Sequence, residues 1–169
     1  MQQYDSDTQA QPIEDGRWRV HISAAWNIGD NPNGGYLVSL VTAAMRAQMA
    51  DQRHPDPVSI TTHFLRPGVA NEDAEVEVNV VRTGRLFTTL RGTLRCQGKE
   101  RVEVLCTFAD VEVGAGVEQV IEVASPELPA PEDCILRSGD AQGIHLPIMS
   151  RLEVMLHPDQ AQLPPRAMR

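Results

Sequence analysis

Residues 36–50 form the segment that most restricts how this chain can fold. Eleven of these fifteen residues are apolar, and most of them are good helix formers. The polar residues Ser39, Thr42 and Arg46 recur at intervals of three and four, which places them on one narrow stripe. A helix on a protein surface shows a wider polar face. The pattern therefore predicts one helix that is enclosed on most sides.

The runs around this helix predict antiparallel strands. Residues 17–22 alternate before the helix, and strand-like runs follow it at residues 58–65, 74–80, 86–96 and 102–110. A sheet with one apolar face must cover something, and the helix is the only large apolar partner that the sequence offers. We therefore expect an α+β fold in which an antiparallel sheet wraps around one long central helix, the architecture called the hotdog fold.

The last two strands are expected to form a hairpin that turns at residues 97–100. Setting Leu94 opposite Val104 requires a loop of odd length, which suits a bulge at the turn glycine. In that register Cys96 and Cys106 lie about four residues apart along the strands, roughly 13 Å. This separation is too large for a disulfide, so we expect reduced thiols.

A change in composition after residue 110 divides the chain into three expected parts. Residues 15–112 are expected to form the hotdog domain. Seven of the 12 prolines lie beyond residue 125, so residues 113–147 are expected to be a linker rich in Pro and Glu. Residues 151–156 repeat the alternation of residues 17–22, which predicts that residues 148–169 begin a second, incomplete hotdog repeat.

The net charge of -8 lies on the flanks of the chain. Residues 17–110 carry 11 basic and 10 acidic side chains, without the basic stripe that a nucleic-acid partner would require.

No stretch reaches the roughly 18 apolar residues of a membrane helix. The N-terminus is polar and acidic, unlike a secretory leader, so we expect a cytoplasmic protein. The spacing of His and Cys predicts no metal site, and no cofactor is expected.

Two strings of residues carry a family resemblance, Ile-Thr-Thr-His-Phe-Leu-Arg-Pro-Gly at 60–68 and Val-Arg-Thr-Gly-Arg-Leu-Phe at 81–87. Together with a Gly-Gly helix start, they resemble thioesterase II-type acyl-CoA thioesterases over about residues 15–110 and, more faintly, 147–158. The resemblance implies that two hotdog repeats, packed side by side, hydrolyse a fatty acyl-CoA to the free acid and CoA. In that family the catalytic Asp, Gln and hydroxyl residue belong to the second repeat. Since this sequence ends before those positions, we expect activity only when a second hotdog is supplied.

The segment Asn33-Gly34-Gly35-Tyr36 is the candidate catalytic segment for that reaction. Glycines let a thioester carbonyl approach backbone N–H groups, and the helix dipole adds positive charge there. Gly35 is therefore the candidate oxyanion donor, and Asp30, in the loop that enters the helix, is the candidate base. The same residues also suit a tight turn with Asn33 as the helix N-cap and Asp30 as a surface turn residue.

The resemblance also suggests residues that contact the substrate: Asn33, Gly34, Tyr36, His63, Arg66, Arg82 and Arg85. The arginines suit the phosphates of CoA, and ion pairs with Glu75, Glu77 or the acidic flanks of the chain are the alternative. His63 lies in a strand and faces either a cleft or the core. Phe64 and Phe87 are expected in the core rather than in an acyl pocket.

The sequence thus predicts an acyl-CoA thioesterase-like enzyme of lipid metabolism. The alternative is a non-catalytic hotdog module for acyl-CoA binding or assembly. A hotdog hydratase ranks last, because the loop lacks the paired Asp and His of that class. A homo-oligomer formed through the sheet or the helix is expected, since a lone hotdog leaves its helix and edge strand poorly covered.

Overall fold

The computed structural model describes residues 3–49, 53–113, 124, 126–137 and 146–160. The elements are α1 (Gln3–Asp7), β1 (Gln11–Glu14), β2 (Arg17–Ile22), β3 (Asn27–Ile28), β4 (Asn31–Pro32), α2 (Gly34–Gln48), β5 (Asp56–Phe64), β6 (Glu72–Thr83), β7 (Thr88–Cys96), β8 (Lys99–Ala109), β9 (Ile135–Leu136) and β10 (Met155–Leu156). Short 3-10 helices occur at Ala24–Trp26, Pro131–Asp133, Pro147–Ser150 and Pro158–Gln160. No described helix is long and apolar enough to cross a membrane.

One antiparallel sheet forms the body of the molecule. Its six strands lie in the order β1-β2-β6-β7-β8-β5, and α2 packs on one face of them. The sheet and helix share one apolar core, which includes Val20, Ile22, Leu40, Met45, Val76, Leu90, Leu94, Val102, Val104 and Phe108. This is the α+β arrangement that the sequence predicts.

The central helix begins two residues earlier than the apolar run indicates. Asn33 is its N-cap, and the buried side of the helix carries Leu37, Leu40, Val41, Ala44 and Met45. The helix lies very close to β7, because a Cβ at Gly92 would be only 2.6 Å from Val41 Cγ1. Gly92 therefore sets how closely the helix approaches the sheet.

The β7–β8 hairpin has a different register from the predicted one. Gln97 and Gly98 both have positive φ and form a two-residue turn. Leu94 faces Val102, whereas Arg95 faces Glu100, so Arg101 is the extra residue of a bulge. The predicted pairing of Leu94 with Val104 was wrong because the bulge lies after the turn instead of within it.

The new register moves two cysteines farther apart than expected. Cys106 faces Leu90, which is six residues from Cys96 along β7, or about 20 Å. Both thiols are free and buried. Burial raises the pKa of both, that of Cys106 to about 11. The expectation of reduced thiols is unchanged for these two residues.

The segment expected to begin a second repeat forms less strand than predicted. Residues 151–156 were expected to be one strand, but only Met155–Leu156 is extended, and it pairs with Ile135–Leu136. Just before it, Ile148 packs into the core of the main sheet. Much of the predicted linker, residues 114–123, 125 and 138–145, lies outside the described residues.

An ion pair joins this late segment to the start of the chain. Arg151 Nε lies 2.8 Å from Asp7 Oδ2, and neither side chain is more than a quarter exposed. The same carboxylate accepts hydrogen bonds from Trp26 Nε1 at 2.9 Å and from Gln3 Nε2 at 2.9 Å. Burial raises the pKa of Asp7, but the hydrogen bonds from Trp26, Gln3 and Arg151 outweigh it, so the pKa is lowered.

We expect Asp7→Ala to lower the free energy of unfolding by about 1–3 kcal/mol at pH 7, since it removes charge-assisted bonds. Because the pKa is lowered in the folded state, this contribution is present above the ordinary pKa of about 4. It disappears as the pH falls through the folded-state pKa. A double-mutant cycle with Arg151→Ala, measured by urea unfolding at pH 7 and pH 3, tests this. Equal coupling at both pH values would contradict it.

Strand β5 lies at one edge of the sheet and extends beyond the cover of the helix. Its Ile60 and Phe64 face Cys106 and Val102 of β8, which are fully buried. Directly opposite residues share a face of the sheet, so Ile60 and Phe64 point to the helix side. Both are nevertheless exposed. The edge of the sheet therefore carries an uncovered apolar face.

Candidate functional site

The start of α2 offers two backbone donors that have no acceptor among the residues that the structure describes. Asn33 Oδ1 accepts a hydrogen bond from Tyr36 N at 3.1 Å, which satisfies the third N–H of the helix. The N–H groups of Gly34 and Gly35 make no hydrogen bond to any described residue. Gly35 is exposed and Gly34 is partly exposed. The helix start can therefore donate to an incoming carbonyl oxygen.

An exposed aromatic ring lies against this helix start. A Cβ at Gly34 would be 3.0 Å from two ring carbons of Phe64, so the absence of a side chain at Gly34 makes room for the ring. Phe64 is 58% exposed and Phe87 is 53% exposed. The prediction that both belong to the core was wrong. Phe64 instead forms an apolar wall beside the two free N–H groups.

The loop after Phe64 fixes the position of this wall. Gly68 lies against the side chains of Leu37 and Pro32, where a Cβ would approach within 3.0–3.3 Å. The Pro67 carbonyl accepts a hydrogen bond from Arg101 Nη1 at 3.0 Å. The Arg-Pro-Gly string thus docks the end of β5 onto the region where α2 begins.

The structure places Asp30 at the tip of the short hairpin formed by β3 and β4. It follows Gly29, whose φ is +60°, and it is exposed. Its carboxylate makes no hydrogen bond or ion pair to a described residue. This location suits a turn residue, and no hydrogen bond joins Asp30 to the two glycines.

Tyr36 is not placed to contact a substrate. It is 3% exposed, and its ring stacks on Trp26 with 5.1 Å between centroids. Its hydroxyl lies 2.9 Å from Asp7 O and 3.0 Å from His21 O, and it accepts from Ser23 N. Burial raises the pKa of this phenol. Tyr36 therefore anchors the first turn of the helix, a role that its place beside Gly35 did not reveal.

The predicted polar contacts do not form one cluster. His63 faces Glu103 on the side of the sheet away from α2. Arg82 pairs in register with Thr89. That row lies five residues from the row of Phe64, about 17 Å along the strands. Arg85 lies in the following turn, where its carbonyl faces His54 Nε2 at 3.2 Å. Of the predicted arginines, only Arg66 lies at the end of the sheet where α2 begins.

The alternative ion pairs proposed for these arginines are also absent from the part of the chain that the structure describes. Glu75 pairs with Arg17, and Glu77 lies 4.0 Å from Arg95. Arg66, Arg82 and Arg85 form no ion pair with a described residue.

The fold and the helix start define a class. An antiparallel sheet around one long helix is a hotdog domain. Residues 22–109 match the family described as Acyl-CoA thioesterase N-terminal domain. The chain belongs to this family.

Known proteins agree with this assignment. The thioesterase-like protein TwmA of Talaromyces wortmannii is 32% identical over 92 residues, 54% of this chain and 26% of that protein. A structure from Thermobifida fusca, proposed to be a thioesterase II, is 25% identical with a TM-score of 0.81, covering 95% of this chain and 56% of the other. The chain thus spans about a quarter of the first relative and about half of the second.

Two more distant structures share the fold. A protein with a hot dog fold from Alicyclobacillus acidocaldarius is 20% identical with a TM-score of 0.73, covering 89% of this chain and 53% of the other. A Streptococcus mutans protein bound to acetyl-CoA is 15% identical with a TM-score of 0.52, covering 60% and 86%. These likenesses confirm the hotdog fold.

Proposed function

We propose that this chain is the N-terminal hotdog of an acyl-CoA thioesterase and hydrolyses a fatty acyl-CoA to the free acid and CoA. The observation that carries the proposal is the pair of N–H groups at Gly34 and Gly35, which bond to no described residue and lie beside the exposed ring of Phe64. The family membership supports the class of reaction. The acetyl-CoA bound to the S. mutans hotdog supports CoA as the carrier.

The reaction uses these groups at the carbonyl of the thioester. Water loses a proton to a base, its oxygen adds to the carbonyl carbon, and the carbonyl oxygen becomes negative. The N–H groups of Gly34 and Gly35 donate to this oxyanion, where one preorganised donor contributes about 3–4 kcal/mol to the transition state. The C–S bond then breaks, and the sulfur leaves as CoA and takes up the proton. Asp30 is the candidate base on this chain, and Phe64 lines the path of the acyl chain.

A second hotdog completes the proposed site. Among the described residues, none orients Asp30 by a hydrogen bond or an ion pair, and the resemblance assigns the remaining catalytic groups to a second repeat. The edge strand β5, with its uncovered Ile60 and Phe64, is the proposed contact with that repeat or with a second copy of this chain. An exposed apolar edge strand is prone to such pairing. A cytoplasmic location and a role in lipid metabolism accompany this proposal.

We expect Ile60→Lys to abolish association, because a charge on an apolar contact is costly to bury. Light scattering across micromolar concentrations measures the change, with wild-type chain expected to associate and the variant to remain monomeric. Arg19→Lys, on the outer face of β2, is the matched control and should associate as the wild type does. A monomeric wild-type chain would contradict the contact at β5.

Hydrolysis of medium- and long-chain acyl-CoAs, followed with a thiol reagent, tests the proposed function. Saturable release of CoA is expected. A non-catalytic acyl-CoA-binding module is the second candidate, because no described carboxylate contacts the two glycines. Calorimetry separates the two: saturable binding of acyl-CoA without release of CoA would favour the module and refute the enzyme.

A further inference from the structure

Arg101 is a cationic residue with little exposure to solvent. It is 9% exposed, and it is the extra residue of the bulge in β8. Its Nε donates to Cys96 O at 3.3 Å and its Nη1 donates to Pro67 O at 3.0 Å. Its Nη2 makes no hydrogen bond to a described residue and is not a fully buried atom. Arg101 forms no ion pair within the described part of the chain.

A second arginine, Arg66, is joined to the same bulge by hydrogen bonds. Arg66 N donates to Arg101 O at 3.2 Å, and Arg66 Nη1 donates to Glu100 O at 3.0 Å. The nearby acids are occupied elsewhere: Glu100 pairs with Arg95 at 2.8 Å, and Glu72 accepts from Gln97 at 3.3 Å. Each guanidinium thus donates to a carbonyl next to the other arginine, Arg66 to Glu100 O and Arg101 to Pro67 O, and neither forms an ion pair with a described residue.

An anion would stabilise this arrangement. A charge of low exposure has lost part of its hydration, and an anionic partner supplies a favourable interaction in its place. Hydrogen bonds from the two side chains to carbonyl oxygens hold both guanidiniums in position before any ligand arrives. Planar guanidinium groups bind phosphate oxygens in pairs, and a pre-positioned pair loses little side-chain entropy on binding.

The position of the two arginines links them to the proposed active site. The loop that carries Arg66 also carries Pro67 and Gly68, and Gly68 packs on Pro32 and Leu37 at the start of α2. Phe64, two residues before Arg66, lies on Gly34. Arg82 and Arg85 lie at the opposite end of the sheet and do not share this place.

We propose that Arg66 and Arg101 form a phosphate-binding site that holds a phosphate group of CoA while the thioester lies at Gly34 and Gly35. The choice of CoA as the source of the phosphate rests on the proposed function. Arg101 is then a substrate-binding residue, and its bulge is the feature of β8 that turns it towards the loop.

Calorimetry with CoA, pantetheine and inorganic phosphate tests the site on the full chain. We expect Arg66→Gln and Arg101→Gln each to weaken CoA binding about tenfold or more, because each removes charge-assisted hydrogen bonds. Neither should change the affinity for pantetheine, which lacks phosphate. Arg19→Gln, an exposed arginine of β2, should leave CoA binding unchanged.

Arg66→Gln keeps the test decisive if Arg101→Gln fails to fold, because Arg66 is exposed. Unchanged CoA affinity in Arg66→Gln, or equal loss for pantetheine, would overturn the site. If the chain binds inorganic phosphate through the two arginines but does not bind CoA, CoA is not the source of the phosphate group that the site holds. If the wild-type chain hydrolyses acyl-CoA but the variants bind CoA as tightly as it does, the phosphate site is wrong and the proposed function stands. If CoA binding depends on the two arginines but no acyl-CoA is hydrolysed, the proposed function is wrong and the phosphate site stands.

Discussion

Gly35→Pro is expected to reduce kcat for acyl-CoA hydrolysis by about 10²–10³-fold, because it deletes one oxyanion donor. Gly35 is the second residue of α2, and proline is tolerated in the first turn, where no intrahelical bond to its nitrogen is lost. The helix should therefore persist while its donor disappears. Initial rates of CoA release, together with far-UV circular dichroism to verify the fold, measure the effect.

Gly35→Ala is the matched control for this variant. It adds the same Cβ, which would lie 3.1 Å from Asn33 Oδ1, but it retains the N–H group. We expect a loss of less than about tenfold, since that contact is mildly tight and the donor remains. Equal losses in the two variants would show that the N–H of Gly35 does not stabilise the oxyanion.

Phe108→Ala is expected to lower the free energy of unfolding by about 3–5 kcal/mol, because it leaves a cavity in the core. Phe108 is the largest of the fully buried side chains and packs between the sheet and α2. Natural domains are stable by only about 5–15 kcal/mol. The change would thus remove a large share of the stability. Urea unfolding followed by tryptophan fluorescence measures it.

Phe64→Ala provides the comparison within the same sheet. Its ring is more than half exposed, so we expect a loss of less than about 1 kcal/mol. If Phe64 lines the acyl path, this variant should instead raise KM for long-chain acyl-CoAs. A large loss of stability in Phe64→Ala, with a small loss in Phe108→Ala, would contradict the placement of Phe108 in the core and of Phe64 at the surface.

The fold could be predicted from the sequence because two periodic signals agree. The apolar run ending near Met49 predicts an enclosed helix, and the alternation of Val76 with Val78 predicts strands with one apolar face. A single helix leaves the sheet only one partner to cover. The family strings point to the same architecture.

The predictions failed where a local irregularity or the reach of the helix decides the outcome. A bulge resets alternation, so the register that places Leu94 opposite Val102 cannot be obtained from a hydrophobic pattern. Phe64 alternates like a core residue, but β5 extends past the cover of α2. Only the packing shows which part of the strand the helix protects.

The candidate site was predicted only in part. Gly34, Gly35 and Asn33 lie together at the helix start as expected, because they are consecutive in the sequence. Arg101 was missed because it follows the charged residues Lys99 and Glu100 at the start of β8, and its burial arises from the bulge. One signal in the sequence would have identified Arg101 as a candidate: it is a charged residue close to a two-residue turn and directly before the apolar positions of a strand.

The need for a second hotdog can be measured as the rate of CoA release per chain, with saturating acyl-CoA, across the concentration range over which the chain associates. We expect the rate per chain to rise as chains associate and then to level off, because a second hotdog completes each site. Bound acyl-CoA with no release of CoA at any concentration, in the associated chain as in the monomer, would contradict it.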